Sequence, residues 1–163
     1  MSINKGFLVE IERETSNTRR LLERLKDENL AYKPHEKSMS LGALASHIVA
    51  LHNWIKDALS VDVYDLQTMY SNWKAESTDE LLNVLNIGYA ENVMAIESIS
   101  DESWQQVWSF QAGDHIIAQM PRMAAYRFII QNHLIHHRGQ LTVYMRLLDI
   151  PLPGLYGPSA DEQ

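Results

Sequence analysis

Apolar residues recur every three or four positions through most of this chain, the spacing of helices with one buried face. Phe7, Leu8, Ile11, Leu21, Leu22 and Leu25 mark the first face, with Thr15 and Thr18 filling it, and predict a helix over 3–28. Pro34 blocks continuation through the connector 28–40. Ser40 is placed to cap a second helix over about 41–59, "LGALASHIVALHNWIKDAL". Thr78 is placed to cap a third, over about 79–99, striped by Leu81, Leu82, Leu85, Tyr89, Val93 and Ile96. A fourth opens at Pro121 and runs to about Leu148, stopped by Pro151, Pro153 and Gly154.

Two stretches break the helical period. Residues 60–76 read as a long loop with room for a short helical turn. In "VWSFQAGDHIIAQ", two short β-leaning runs flank Gly113-Asp114 and predict a small hairpin with His115 exposed at its tip. Four long helices without repeats point to an all-α fold, a four-helix bundle forming one domain over 1–163, with the hairpin inserted before the last long helix. That helix is apolar on more than one side. Phe128, Leu134, Ile135 and Val143 lie off the stripe that holds Ile129, Ile130, Tyr144 and Leu147. One stripe suffices for an isolated bundle, so a homodimer is expected, the alternative being a monomer that covers this face with the hairpin or the C-terminal "LPGLYGPSADE". Its seam would run through Phe128, Ile135 and Thr142, with Arg127, Arg138 and Arg146 at the rim.

Composition narrows the function. The 163 residues are 45% apolar and 21% charged, ordinary values for a globular chain. A formal net charge of −7 leaves no excess of Lys or Arg to neutralise phosphates, which argues against nucleic acid as a partner. Cysteine is absent, so disulfides, zinc-thiolate sites and a protein thiol nucleophile are excluded. "MSINKGFLVEIERE" becomes charged before a signal-peptide apolar region could be completed. No apolar run reaches the roughly 18 residues of a membrane span. A cytoplasmic protein without a membrane partner is the expectation.

The histidines change the picture. "IIQNHLIHHRGQLTVYMR" crowds three of the chain's seven histidines into five positions of an apolar stretch. His133 and His137 stand one helical turn apart, so their imidazoles can converge on one point. Leu134 occupies the position where the helical metalloprotease motif carries its glutamate, and that activity is rejected. Tyr126, Ile129, Ile130, Tyr144 and Leu147 flank the pair, which places both histidines facing into the bundle. On helix two, His47 shares a stripe with Ala43, Leu44, Ala50, Leu51, Trp54 and Ala58 and supplies a third inward imidazole. His52 is rotated away toward the polar side of Asn53 and Lys56. Burying each imidazole unpartnered costs on the order of 1–3 kcal/mol, and one shared divalent ion satisfies all three.

No glutamate precedes a histidine by three residues, so the di-iron bundle signature is missing, and no phosphate loop, dinucleotide fingerprint or nucleophile elbow occurs. Three neutral nitrogens suit one divalent transition metal, nickel or zinc first and iron or copper next, rather than magnesium or calcium. Three protein ligands leave a position open for water or substrate. Around them, His136 sits on the flank of the ligand face, where a dimer-contact histidine is the first reading and a base beside the ligands the second. Gln140, one turn past His136, is placed either to bond a ligand or substrate or simply to pair with a helix neighbour. Arg138 suits an ion pair, and Gly139 suits a close helix approach. Trp54, Trp73, Trp104 and Trp108 read as core.

With "AYKPHEKSMSLGALASHI", "HLIHHRGQLTVYMRLL" and the closing "LPGLYGPSADE", nearly the whole chain resembles the DinB-like (YfiT-like) family of metal-binding bundles. The resemblance implies a bundle, usually dimeric, with three histidine ligands that map onto His47, His133 and His137. In the wider superfamily, related enzymes are transferases and isomerases dependent on bacillithiol, mycothiol or glutathione. The expected function is therefore that of a metal-dependent, thiol-dependent transferase acting on a small electrophilic substrate. A metal-dependent hydrolase and a non-catalytic metal- or ligand-binding bundle are the alternatives.

Overall fold

The computed structural model describes residues 2–162 and is predominantly helical. Helix α1 spans Ile3–Leu22 and α2 spans Leu41–Leu59. A short strand β1 (Val63–Asp65) and helix α3 (Leu66–Met69) lead to α4 (Thr78–Ser98) and α5 (Asp101–Gln105). Strands β2 (Val107–Ala112) and β3 (His115–Pro121) follow. The last helical run comprises α6 (Arg122–Ala125), a π-helical segment Tyr126–Gln131 and α7 (Asn132–Leu147). Helix α4 packs on α1 and α2, and α2 also packs on α7.

Capping sets the starts of the long helices. Ser40 accepts the backbone N–H of Ala43, as expected for the cap of α2. At α4 the cap is Ser77, one residue before the expected Thr78, and Ser77 accepts from Glu80 N. Thr78 serves a different contact, since its N–H and hydroxyl both donate to Asp27, at 2.7 and 2.9 Å. The first helix stops at Leu22 rather than residue 28. The chain tightens there into a turn and a 3₁₀ segment at Asp27–Asn29, which tucks Leu25 into the core at 5% exposure.

A small sheet corrects the all-α expectation. The predicted hairpin forms, with Gly113 at φ 59° in the turn and His115 exposed, as a tight turn with glycine first requires. What the helical pattern concealed is β1, which pairs in parallel with β2 and gives the order β1-β2-β3. Tyr64 pairs with Phe110 in that register, and both are buried against Trp54. Trp108 ties the sheet to α2 by donating from Nε1 to the carbonyl of Ala58 at 2.8 Å. The expectation that the tryptophans are core holds for Trp54, Trp104 and Trp108, whereas Trp73 is only partly buried against that core.

The last helix also departs from simple periodicity. Its buried line is Tyr126, Ile130, Leu134, Arg138, Leu141 and Met145. Three successive steps of four residues are slower than the 3.6-residue turn, and the π-helical segment absorbs the difference. Leu134, expected off the core stripe, is therefore fully buried, whereas Leu147, expected on it, is 58% exposed. Gly139 is a second correction. A Cβ there would meet nothing within 4 Å, so it permits no close approach. Gly88 has that role, because a Cβ would fall 1.7 Å from Asn53 Oδ1 across the α2–α4 contact.

A polar cluster crosses the core beside these apolar residues. Arg138, 1% exposed, donates to the Glu14 carbonyl at 2.9 Å and the Thr18 hydroxyl at 3.2 Å. It also pairs with the Glu14 carboxylate and the Tyr156 hydroxyl. The ion pair expected of Arg138 is thus present, but at 1% exposure Arg138 is not at the rim of a seam, where it was also expected, because its guanidinium is drawn inward to Glu14. Thr18 Oγ1 lies 2.9 Å from His52 Nε2, and Thr15 Oγ1 lies 3.5 Å from Nδ1. His52, expected on the polar side, is 1% exposed and held by α1. The C-terminal segment closes over this side, with Glu162 on Arg20 and Arg24 and Asp161 on Arg146.

Burial, reinforced by Arg138 and Arg19, holds His52 down at about 3. An unfolded histidine takes up its proton near 6.5. Between those values the unfolded chain binds a proton that the folded chain refuses, so stability falls as pH drops from about 6.5 toward 3. Above about 6.5 the group contributes no slope. His52→Gln should therefore remove up to about 1.4 kcal/mol per pH unit of that dependence. Urea unfolding of the metal-free protein at several pH values between 7 and 4.5 checks it; an unchanged slope refutes the assignment.

Candidate metal centre

Helix α2 brings His47 to the first turns of α7, which carries His133 and His137. Antiparallel packing makes this meeting possible: Tyr144, late in α7, reaches the carbonyl of Met39, just before α2 begins, at 3.3 Å. His47 therefore faces residues about two turns earlier in α7. His133 and His137 each precede a residue of the buried line, Leu134 and Arg138, and stand about 100° around the helix from it. They are half-buried on the flank toward α2, rather than on the core stripe where periodicity puts them.

The imidazole nitrogens converge. His133 Nε2 lies 2.9 Å from His137 Nε2 and 3.5 Å from His47 Nε2. One ring nitrogen from each residue falls within 4.8 Å of the other two, an arrangement that could hold a metal ion. Nitrogens bound tetrahedrally at 2.0–2.1 Å from one ion stand ~3.3–3.4 Å apart. The observed spacing brackets that value. Gln140 Oε1 lies 2.7 Å from His137 Nδ1. With Oε1 accepting, Nδ1 carries the ring hydrogen and leaves the Nε2 lone pair directed at the other histidines. Gln140 thus pairs with a neighbour on its own helix, and that neighbour is His137.

Charge is equally suited to a cation. Burial lowers the pKa of His47, His133 and His137, and neighbouring imidazoles lower each of them further; His133 is held near 4. The rings are thus neutral near pH 7, the form in which imidazole binds a metal. The donor set, nitrogen-only and neutral, fits a transition ion better than magnesium or calcium. His136 is exposed and lies outside the converging group, with its ring centroid 5.0 Å from that of His137.

Against this fold and site, comparison with known proteins is direct. The family model described as the DinB family matches residues 1–163, and the chain belongs to that family. It is 31% identical over 163 residues to the uncharacterized protein YrdA of Bacillus subtilis (strain 168), covering 96% of this chain and 89% of YrdA. It is likewise 31% identical over 137 residues to YjoA of the same organism, covering 79% of this chain and 80% of YjoA. A DinB-like protein from Bacillus cereus ATCC 10987 superposes with a TM-score of 0.75 at 27% identity, covering 95% of this chain and 98% of that one. The YjoA crystal structure matches the fold with a TM-score of 0.74. Among the described residues no helix is long and apolar enough to cross a membrane.

Proposed function

We propose that His47, His133 and His137 hold one divalent transition ion, nickel or zinc, and that the protein is a metal-dependent, thiol-dependent transferase. The observation carrying the metal assignment is the convergence of three neutral imidazole nitrogens from two helices within 4.8 Å. A bound ion would supply Lewis acidity and a position at which a small thiol ionises. The chain supplies no cysteine of its own, which is consistent with a thiol brought from outside. Gln140 bonds His137, and the three rings are half-buried rather than sealed in the core.

The helical frame of this reading is a four-helix bundle of α1, α2, α4 and α7, working as a homodimer. Phe128, 62% exposed, supports the seam, together with the apolar hollow of about 360 Å³ that it lines with Phe7, Pro121 and Met123. Light scattering at tens of micromolar should give twice the chain mass, and Phe128→Asp should halve it; a wild-type monomer refutes the seam.

Protein purified without an affinity tag should bind about one equivalent of nickel or zinc. His137→Ala should abolish tight binding and Gln140→Ala should weaken it by on the order of 10-fold, while His136→Ala stays within about 3-fold. Calorimetry on the folded variants decides this, and a loss confined to His136→Ala contradicts the ligand set. For activity, the loaded protein should consume a thiol and an electrophile together. Ester hydrolysis without thiol would instead favour a hydrolase, and absence of any turnover a binding protein.

A further inference from the structure

A second cavity opens farther along α2, where the sheet and the 66–77 segment meet the helices. Its volume is about 300 Å³, enough for a small organic molecule. Trp54 and Asp57 line it from α2, Tyr64 from β1, Met69 and Trp73 from the segment before α4, and Val84 from α4. None of the three converging histidines lines it. Ala50 and Trp54, which both line it, lie one and two turns beyond His47 on the same side of α2.

The walls combine aromatic faces with one kind of charge. Trp54 packs at 5.2 Å from Tyr64, with their planes 49° apart, and Trp73 is held by donating from Nε1 to Glu80 at 3.2 Å. Among the lining residues the only charged side chain is Asp57, and no lysine, arginine or histidine lines the space. Lys56 approaches Asp57 at 3.4 Å but lies closer to Glu91, at 2.9 Å. Asp57 is half-exposed, and it shares that lysine with Glu91. Burial, with Asp57 and Tyr70 nearby, pushes the Tyr64 hydroxyl up to about 12. The phenol therefore stays neutral and adds no anion of its own.

Aromatic faces attract a cation through their quadrupoles, and a carboxylate at the rim adds a Coulombic preference for the same sign. The one charge among the lining groups disfavours an anion, and an inorganic cation finds a single carboxylate, with the other polar lining groups, Asn53, Ser71 and Tyr64, all neutral. We infer that this cavity binds a small organic ammonium ion, its alkylated nitrogen against Trp54 and Trp73 and its charge balanced by Asp57. The inference is independent of the metal centre, because it draws on no residue of the three-histidine group.

Choline and its uncharged carbon isostere, 3,3-dimethylbutan-1-ol, have the same shape and differ in charge. Calorimetric titration and tryptophan fluorescence of the full chain, with and without bound metal, should give saturable choline binding in both states. The isostere should bind at least about 5-fold more weakly. Asp57→Asn, at a half-exposed position that leaves folding intact, should weaken choline by about 3- to 10-fold while hardly changing the isostere. Trp54→Leu should weaken both. Equal affinity for the two compounds would make the cavity merely apolar, and no saturable choline binding up to about 50 mM would remove the ammonium site; either result overturns the inference. Binding that persists in metal-free protein but fails in His47→Ala would also contradict the independence claimed here.

Discussion

Arg138 carries its guanidinium into the seam between α1 and α7, where Glu14, Thr18 and Tyr156 take up its donors. Such a charge is expensive to desolvate, and removing one partner of a buried pair typically costs about 3–5 kcal/mol. The register it enforces is therefore stiff. His137 is the preceding residue and His133 lies one turn back, so the pair that faces α2 is set by the residue that faces α1. Thr18 then reaches His52 at 2.9 Å, keying α2 to the same stripe of α1. Both helices that carry the converging imidazoles are thus indexed on one polar strip, Glu14, Thr15 and Thr18. The π-helical segment before α7 completes the arrangement by bringing Tyr126 and Ile130 onto the buried line.

The division of labour among the histidines follows from burial and partners. His52 has hydroxyl partners on α1 and no imidazole neighbour within the three-histidine group, so it acts as a structural element of the core. His47, His133 and His137 have one another as neighbours, and His137 is further oriented by Gln140. A buried imidazole stays neutral in both settings, but only in the second do lone pairs meet. Neutral charge, nitrogen donors and separations near those of a coordinated ion are then three expressions of one arrangement.

Much of this was legible in the amino-acid sequence, and the exceptions have physical causes. Long runs of three-and-four spacing located α2 within a residue, because Ser40 caps it and its apolar side is wide. The hairpin was legible from Gly113-Asp114. Strand β1 was not, since three residues give no period and its parallel partner lies more than forty positions away. His52 was misplaced because its neighbours Asn53 and Lys56 are polar, while the hydroxyls that receive it belong to α1. The register of the last helix was misjudged for Leu134 and Leu147, because a π turn leaves no mark in a count made at 3.6 residues per turn. His133 and His137 were nevertheless paired correctly, both lying beyond that turn in regular α-helix. Gly139 and Gly88 show the same limit: a glycine's reason lies in what a Cβ would strike, which only the packing reveals.

The claim on which the account stands is that three imidazoles of one chain meet at one ion. X-ray absorption at the metal edge of zinc-loaded, tag-free protein tests it most directly. The account predicts three imidazole nitrogen scatterers at about 2.0–2.1 Å, one further light-atom ligand, and no sulfur until a thiol is added. A spectrum with a single imidazole, or one of a fully hydrated ion, would contradict it.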